Sequence, residues 1–205
     1  MPLLETLRVD GSLLVDGRVS LKSSQSLKKL VIRECENVIP ANIIPSTVEK
    51  VTIHNYAERI NILEQVVFPP SLTHLTVSGD CKNPIKLPQS LVKLKMNEFT
   101  SKSGSVFRLD EGINHTNVRD LSIIIENGTN QPPTTYQFSI QRLDADNRNV
   151  LVLEKQTMTG GIITQRKQEH ESEYDPINLR YTGSNSTFEL KWFLTYYQDY
   201  DGVGS

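Results

Sequence analysis

The sequence predicts a mainly β protein: a solenoid of short coils whose strands stack into one parallel sheet, followed by a small antiparallel β unit. Three observations carry this. A short apolar phrase recurs through the first 126 residues, the composition changes near residue 130, and the later segments alternate apolar and polar residues as half-buried strands do. With 205 residues the chain is long enough for one domain with a core, or one domain and a small appendage. A net charge of −2 argues against nucleic acid as a partner. No run is apolar for the roughly 18 residues a membrane span needs, and Glu5, Arg8, Asp10, Asp16 and Arg18 interrupt any signal-peptide core. A soluble, cytoplasmic protein is therefore expected.

The phrase reads Leu, two residues, Leu, one residue, aliphatic. Its copies are Leu4/Leu7/Val9, Leu27/Leu30/Ile32, Val48/Val51/Ile53, Leu72/Leu75/Val77, Leu91/Leu94/Met96 and Val118/Leu121/Ile123. They start 19 to 27 residues apart, close to 23 on average, which lies in the range of leucine-rich repeats. The second and third apolar positions sit two apart, so on a short strand both point to one face while their neighbours point to water. Three copies are led in by proline at one offset, in Pro45-Ser-Thr-Val48, Pro69-Pro-Ser-Leu72 and Pro88-Gln-Ser-Leu91. Proline there sets a defined corner just before each strand. About six leucine-rich-repeat-like coils are expected over residues 1–126. No coil can offset its own ordering entropy, so each must stack on its neighbours.

The segment from Phe68 to Leu91 carries a resemblance. Its Pro69-Pro-Ser-Leu-Thr-His-Leu-Thr-Val77 strand phrase, with Pro84-Ile85 further on, resembles the FNIP repeat, a leucine-rich-repeat variant of about 22 residues. Cys81 stands where that repeat has Phe, and Asn83 lies one position late. The likeness covers residues 1–126 and is strongest over 44–96. It implies a repeat array that binds other proteins. It also implies, by analogy alone, an adaptor that hands a bound protein to a larger complex such as a ubiquitin ligase. Neither the F-box nor the kinase module that accompanies some members is recognisable in the sequence.

The outward face of the expected sheet yields the candidate site. Residues just before the second apolar position form the column Thr6, Lys29, Lys50, His74, Lys93, Asp120. The column between the second and third positions reads Arg8, Val31, Thr52, Thr76, Lys95, Ser122. Lys29, Lys50, His74 and Lys93, with Arg8 and Lys95 at the ends, are the expected contacts for a protein partner, and an acidic one suits them. The plainer reading is that lysines keep a solvated sheet soluble. Cys35 and Cys81 fall at inward corners and suit core packing. A metal site with His54 or His74 is the sharper alternative, but those histidines point outward, and no metal or cofactor is expected. A Cys35–Cys81 bridge would have to cross two coils.

Residues 127–135 read as a junction, because Asn127-Gly and Pro132-Pro133 favour turns and extended chain. The last unit, 136–205, holds ten of the fourteen aromatics. Strands are expected over 136–142, 150–153 and 188–194, with 144–149 as a hairpin turn and Gly160-Gly161 as turn residues before Ile162-Ile163. The polar run 166–175 is expected to be a mobile loop. The aromatics 192–200 complete a core or offer a sticky surface.

No nucleophile, zinc-binding or phosphate-cradling motif appears, so an enzyme with a site in the last unit is the least favoured reading. The sequons at Asn114, Asn127 and Asn185 carry little weight without a secretory signal. The first coil, at Pro2-Leu3-Leu4, lacks a polar cap. It is expected either to self-associate with a second copy or to continue a longer array.

Overall fold

The computed structural model describes residues 4–33, 39, 43–54, 66–78, 86–100, 106–126, 132–167, 174–182 and 187–192. Six strands follow the six apolar phrases: β1 (Thr6–Asp10), β2 (Lys29–Arg33), β3 (Lys50–His54), β4 (His74–Ser78), β5 (Lys93–Thr100) and β7 (Asp120–Glu126). They lie side by side and parallel, as a β-solenoid requires, with β6 (Val106–Arg108) between the last two in sequence but in another sheet. Equivalent phrase positions pair. Leu30 lies opposite Val51 and Val51 opposite Leu75, and the next rung sets Ile32 against Ile53 and Ile53 against Val77. Both inner columns are buried from β2 to β7, as are the lead residues Leu27, Val48, Leu72, Leu91 and Val118. Each such side chain contributes roughly 1.5 to 3 kcal/mol of transfer free energy. At the β1 edge the lead residue Leu4 is 52% exposed.

The proline phrase has a specific geometry. In each of Pro45–Val48, Pro69–Leu72 and Pro88–Leu91 the amide of the lead aliphatic donates to the proline carbonyl at 3.1 Å, closing a four-residue turn. In the last two turns the serine before the lead aliphatic faces the previous coil, and Ser26 does the same without a proline. Ser71 donates to the Val48 carbonyl at 2.6 Å, Ser90 to the Leu72 carbonyl at 2.7 Å, and Ser26 to the Leu4 carbonyl at 3.1 Å. Each of these three acceptors is the lead residue of the coil before, so the hydroxyl satisfies a carbonyl that the turn lifts out of the ladder, whereas Thr47 in the Pro45–Val48 turn donates to the Ser24 carbonyl at 3.2 Å. The backbone repeats a second device. The carbonyls of Glu5, Lys28, Glu49, Thr73 and Val92 each accept two consecutive amides from the next coil.

The sheet continues past β7. Strands β8 (Thr134–Arg142), β9 (Asn149–Glu154) and β10 (Gly160–Thr164) join it antiparallel, so one nine-stranded sheet runs from β1 to β10. Strand β8 starts two residues before the expected 136, because Thr134 and Thr135 still have Ile125 and Ile124 of β7 to pair with. The expected 144–149 turn forms. The Asp144 carboxylate accepts the Asn149 backbone and side-chain amides at 3.0 and 2.8 Å. Gly160 and Gly161 open β10 instead of making the turn, which falls at 155–157. Gly160 has φ +145°, and a β-carbon on it would meet the Val152 carbonyl oxygen at 2.1 Å, so only glycine fits.

Two short helices and a second sheet were not legible in the apolar pattern. Helix α1 (Gly11–Val15) is capped by the Asp10 carboxylate, which accepts the Ser12 amide at 2.9 Å. Helix α2 (Leu109–Asn114) precedes β7. Strands β11 (Ile177–Thr182) and β12 (Thr187–Trp192) pair with β6 in the order β12-β11-β6. The segment expected over 188–194 is thus a strand, but of this smaller sheet. Of the expected 166–175 loop, only the ends are described: Lys167 bridges to Tyr174, and the Asp175 amide donates to the Arg166 carbonyl at 2.8 Å. Cys35, Cys81, Asn127, Asn185 and residues 193–200 lie outside the described residues.

Polar contacts join the antiparallel strands to the last coil. The Arg142 guanidinium donates to the carbonyls of Ile113 (2.8 Å), Thr116 (2.6 Å) and Val118 (2.9 Å), closing the end of α2 with a charge-assisted cap. Burial, and then the charge of Arg119, press its pKa down, but a guanidinium keeps its proton. Gln165, 2% exposed, exchanges two amide hydrogen bonds with Asn114 at 3.0 and 2.8 Å. This engages the Asn114 amide that the sequon would need free. Buried Asp110 takes the Arg108 guanidinium at 2.5 Å and the Ile177 amide at 3.1 Å, fixing β11 beside α2. Among the described residues no helix is long and apolar enough to cross a membrane.

Two outcomes test this architecture. Ser71→Ala and Ser90→Ala should each lower the unfolding free energy by about 0.5 to 1.5 kcal/mol, measured by urea denaturation. In Gly160→Ala, amide exchange should quicken across 149–164 while residues 29–33 keep their protection, because the clash is confined to the β9–β10 pair.

Candidate interaction face on the open sheet

The ladder places the expected site residues in one line. Lys29 lies opposite Lys50, Lys50 opposite His74, His74 opposite Lys93, and Lys93 opposite Asp120. Neighbours in that column are separated by one strand spacing, about 4.8 Å. In the next column Arg8 pairs with Val31 and Lys95 with Thr76, so Arg8 and Lys95 flank the lysines from opposite ends. Lys29, Lys50, Lys93, Lys95 and Arg8 are exposed, and His74 is half-buried. Val31 is buried although it points outward.

Sequence reasoning missed two cations. Arg33 extends β2 by one outward position, opposite Asp10, and is exposed. It could have been found by continuing the alternation one residue past Ile32. Lys155 could not: it reaches Asp120 at 2.6 Å only because β9 joins the sheet two strands from β7. That contact ends the cationic line, since Asp120 is shared between Lys155 and a looser approach from Lys93 at 4.0 Å. Among the described residues Lys29 and Lys50 make no ion pair, whereas Lys28, one position outside the column, binds Glu49 at 2.7 Å.

The electrostatics follow the geometry. His74 titrates below the free histidine value, first because it is partly buried and then because Lys50 and Lys93 stand on either side; Asp120 and Glu49 oppose this weakly. The Thr73 hydroxyl lies 2.8 Å from its Nδ1. The Lys155 hydrogen bond holds the Asp120 carboxyl below the usual carboxylate range against the opposing effect of burial, and the Lys28 hydrogen bond does the same for Glu49. Beyond the effect of burial, the lysines on either side of His74 add a positive field over this face.

A polar cleft of about 530 Å³ opens at the far end, lined in part by Asn114, His115, Arg142, Asp144 and Asn147. Its charged groups are committed to the fold: Arg142 to carbonyls and Asp144 to Asn149. Among the described residues no three His, Cys, Asp or Glu side chains gather as metal ligands.

Residues 61–99 match the family model of the FNIP repeat, which supports placing the chain with that family and agrees with the resemblance read over 68–91. Neither the curated proteins nor the solved structures gave a match.

His74 reports the field. Its pKa, followed by NMR, should lie below 6.5 and rise in Lys50→Ser and Lys93→Ser. Because the unfolded chain takes the proton more readily, this residue's contribution is complete above about 6.5 and is lost as pH falls towards the folded value. The two substitutions should flatten that part of the stability curve.

Proposed function

We propose that the protein is a non-catalytic interaction module that captures an acidic segment of another protein on the open sheet face. The FNIP repeat and the solenoid fold support a module of this kind, since stacked coils offer an extended rigid surface and repeat proteins use such surfaces for partners. The single observation that carries the reading is the unbroken register Lys29, Lys50, His74, Lys93, four cations or cation-formers in adjacent strands, with one carboxylate, Asp120, at the next position.

The ladder fixes the spacing of these lysines along the sheet, while each exposed side chain gives up about 0.5 to 1.5 kcal/mol of rotamer freedom when a carboxylate holds it. Lys29, Lys50 and Lys93 are the main contacts, with Arg8, Arg33 and Lys95 extending the field and His74 able to take up a proton when an anion arrives. Surface charges of this type act chiefly on the association rate and on salt sensitivity.

Replacing Lys29, Lys50 and Lys93 together by Ser should leave the thermal midpoint within a few degrees of the parent and weaken partner capture from the native cell by on the order of tenfold or more. Capture by the parent should fall steeply with added salt. Undiminished capture by the triple variant removes this reading.

A further inference from the structure

The register that aligns the lysines also carries the open face into a chemically different region. From Asp120 the same outward column passes to Ser139, then Leu153, then Gly160, and one pair along from there Gln141, Leu151 and Ile162 lie opposite one another. These residues share the face of the lysines, and the Lys155–Asp120 contact across β8 confirms it from the side chains. Ile162 is 64% exposed on the last strand of the sheet, beside the partly exposed Leu151 and Leu153. Ile162, with the half-buried Leu151 and Leu153 beside it, makes a small contiguous apolar patch on this face.

We infer that the partner segment is bipartite, an acidic stretch joined to an apolar one, laid across the strands so that its carboxylates meet Lys29, Lys50 and Lys93 while its apolar side chains cover Leu151, Leu153 and Ile162. Charge complementarity sets one end and exposed apolar surface the other. Lys93 and Leu153 stand three strand spacings apart, about 14 Å, and Lys29 and Ile162 seven, about 34 Å. An extended chain rises about 3.3 Å per residue, so roughly ten residues reach from one end to the other. Between the two ends Asp120 is paired with Lys155 at 2.6 Å, so its charge is offset where the acidic part of the segment gives way to the apolar part. This rests on the cationic-face reading above and adds the apolar half to it.

The test uses the full chain and three fluorescent peptides read by anisotropy at low salt. The first carries about six glutamates, a Gly/Ser spacer of about four residues and a Leu-Phe-Leu end, a length set by the strand spacing. The second has the apolar end changed to Ser, and the third has the glutamates changed to Gln. The bipartite peptide should bind about tenfold tighter than the acidic one, and both should bind more tightly than the third. Ile162→Ser, a substitution at an exposed position, should bring the bipartite peptide down to the acidic one and leave the acidic one unchanged. Equal binding of the first two with Ile162→Ser silent overturns the bipartite inference and leaves the cationic face standing. No binding of either overturns both. A dimer seen by sedimentation that Ile162→Ser dissolves, with no advantage for the bipartite peptide, assigns the apolar patch to a second copy and also overturns the inference.

Discussion

Parallel register is the constraint from which the rest of this structure follows. A strand in a parallel ladder cannot place its inward residues without placing its outward ones, because the side-chain period is two and a slip of one residue would exchange the faces. Burying Leu30, Val51, Leu75, Leu94 and Leu121 in one column therefore aligns Lys29, Lys50, His74, Lys93 and Asp120 in the next. Like charges one strand apart repel by under about 1 kcal/mol in water, which the burial of a single aliphatic exceeds. The core sets the register, and the charged face is carried with it.

Stacking also demands that coils be joined where the chain leaves the ladder. Ser26, Ser71 and Ser90 do this from the position just before the lead aliphatic, donating to the lead carbonyl of the coil before. Their bonds are oriented along the stack, so they hold neighbours at a fixed separation that hydrophobic burial alone would leave loose. This gives a physical role to the serine in the Pro-x-Ser-Leu phrase, whose proline sets the corner and whose leucine fills the core.

At its C-terminal end the parallel array passes into antiparallel strands without breaking the sheet. Reversal after β7 lets β8 cover what would otherwise be an open edge beside the last coil. Arg142 and Gln165 then fasten β8 and the chain after β10 to α2 through groups that water would otherwise have to satisfy. The open face is therefore longer than the repeats. It begins among cations, passes a paired Asp120, and ends on aliphatic side chains.

The sequence by itself determined the six rungs, their inner and outer columns, and hence the line Lys29, Lys50, His74, Lys93 with Arg8 and Lys95 at its ends, because a repeat spaced near 23 residues admits one register that buries the inner aliphatics from β2 to β7. Arg33 was within reach of the same alternation. What only the tertiary structure decided is where the later strands go. Their alternation marks 136–142 and 150–153 as strands, but periodicity names no pairing partner, so nothing local says that β8 to β10 extend the sheet while β12 joins β11 and β6. The roles of Arg142, Lys155 and Ile162 depend on that choice, and it is made by long-range packing and hydrogen bonding among residues that are far apart along the chain.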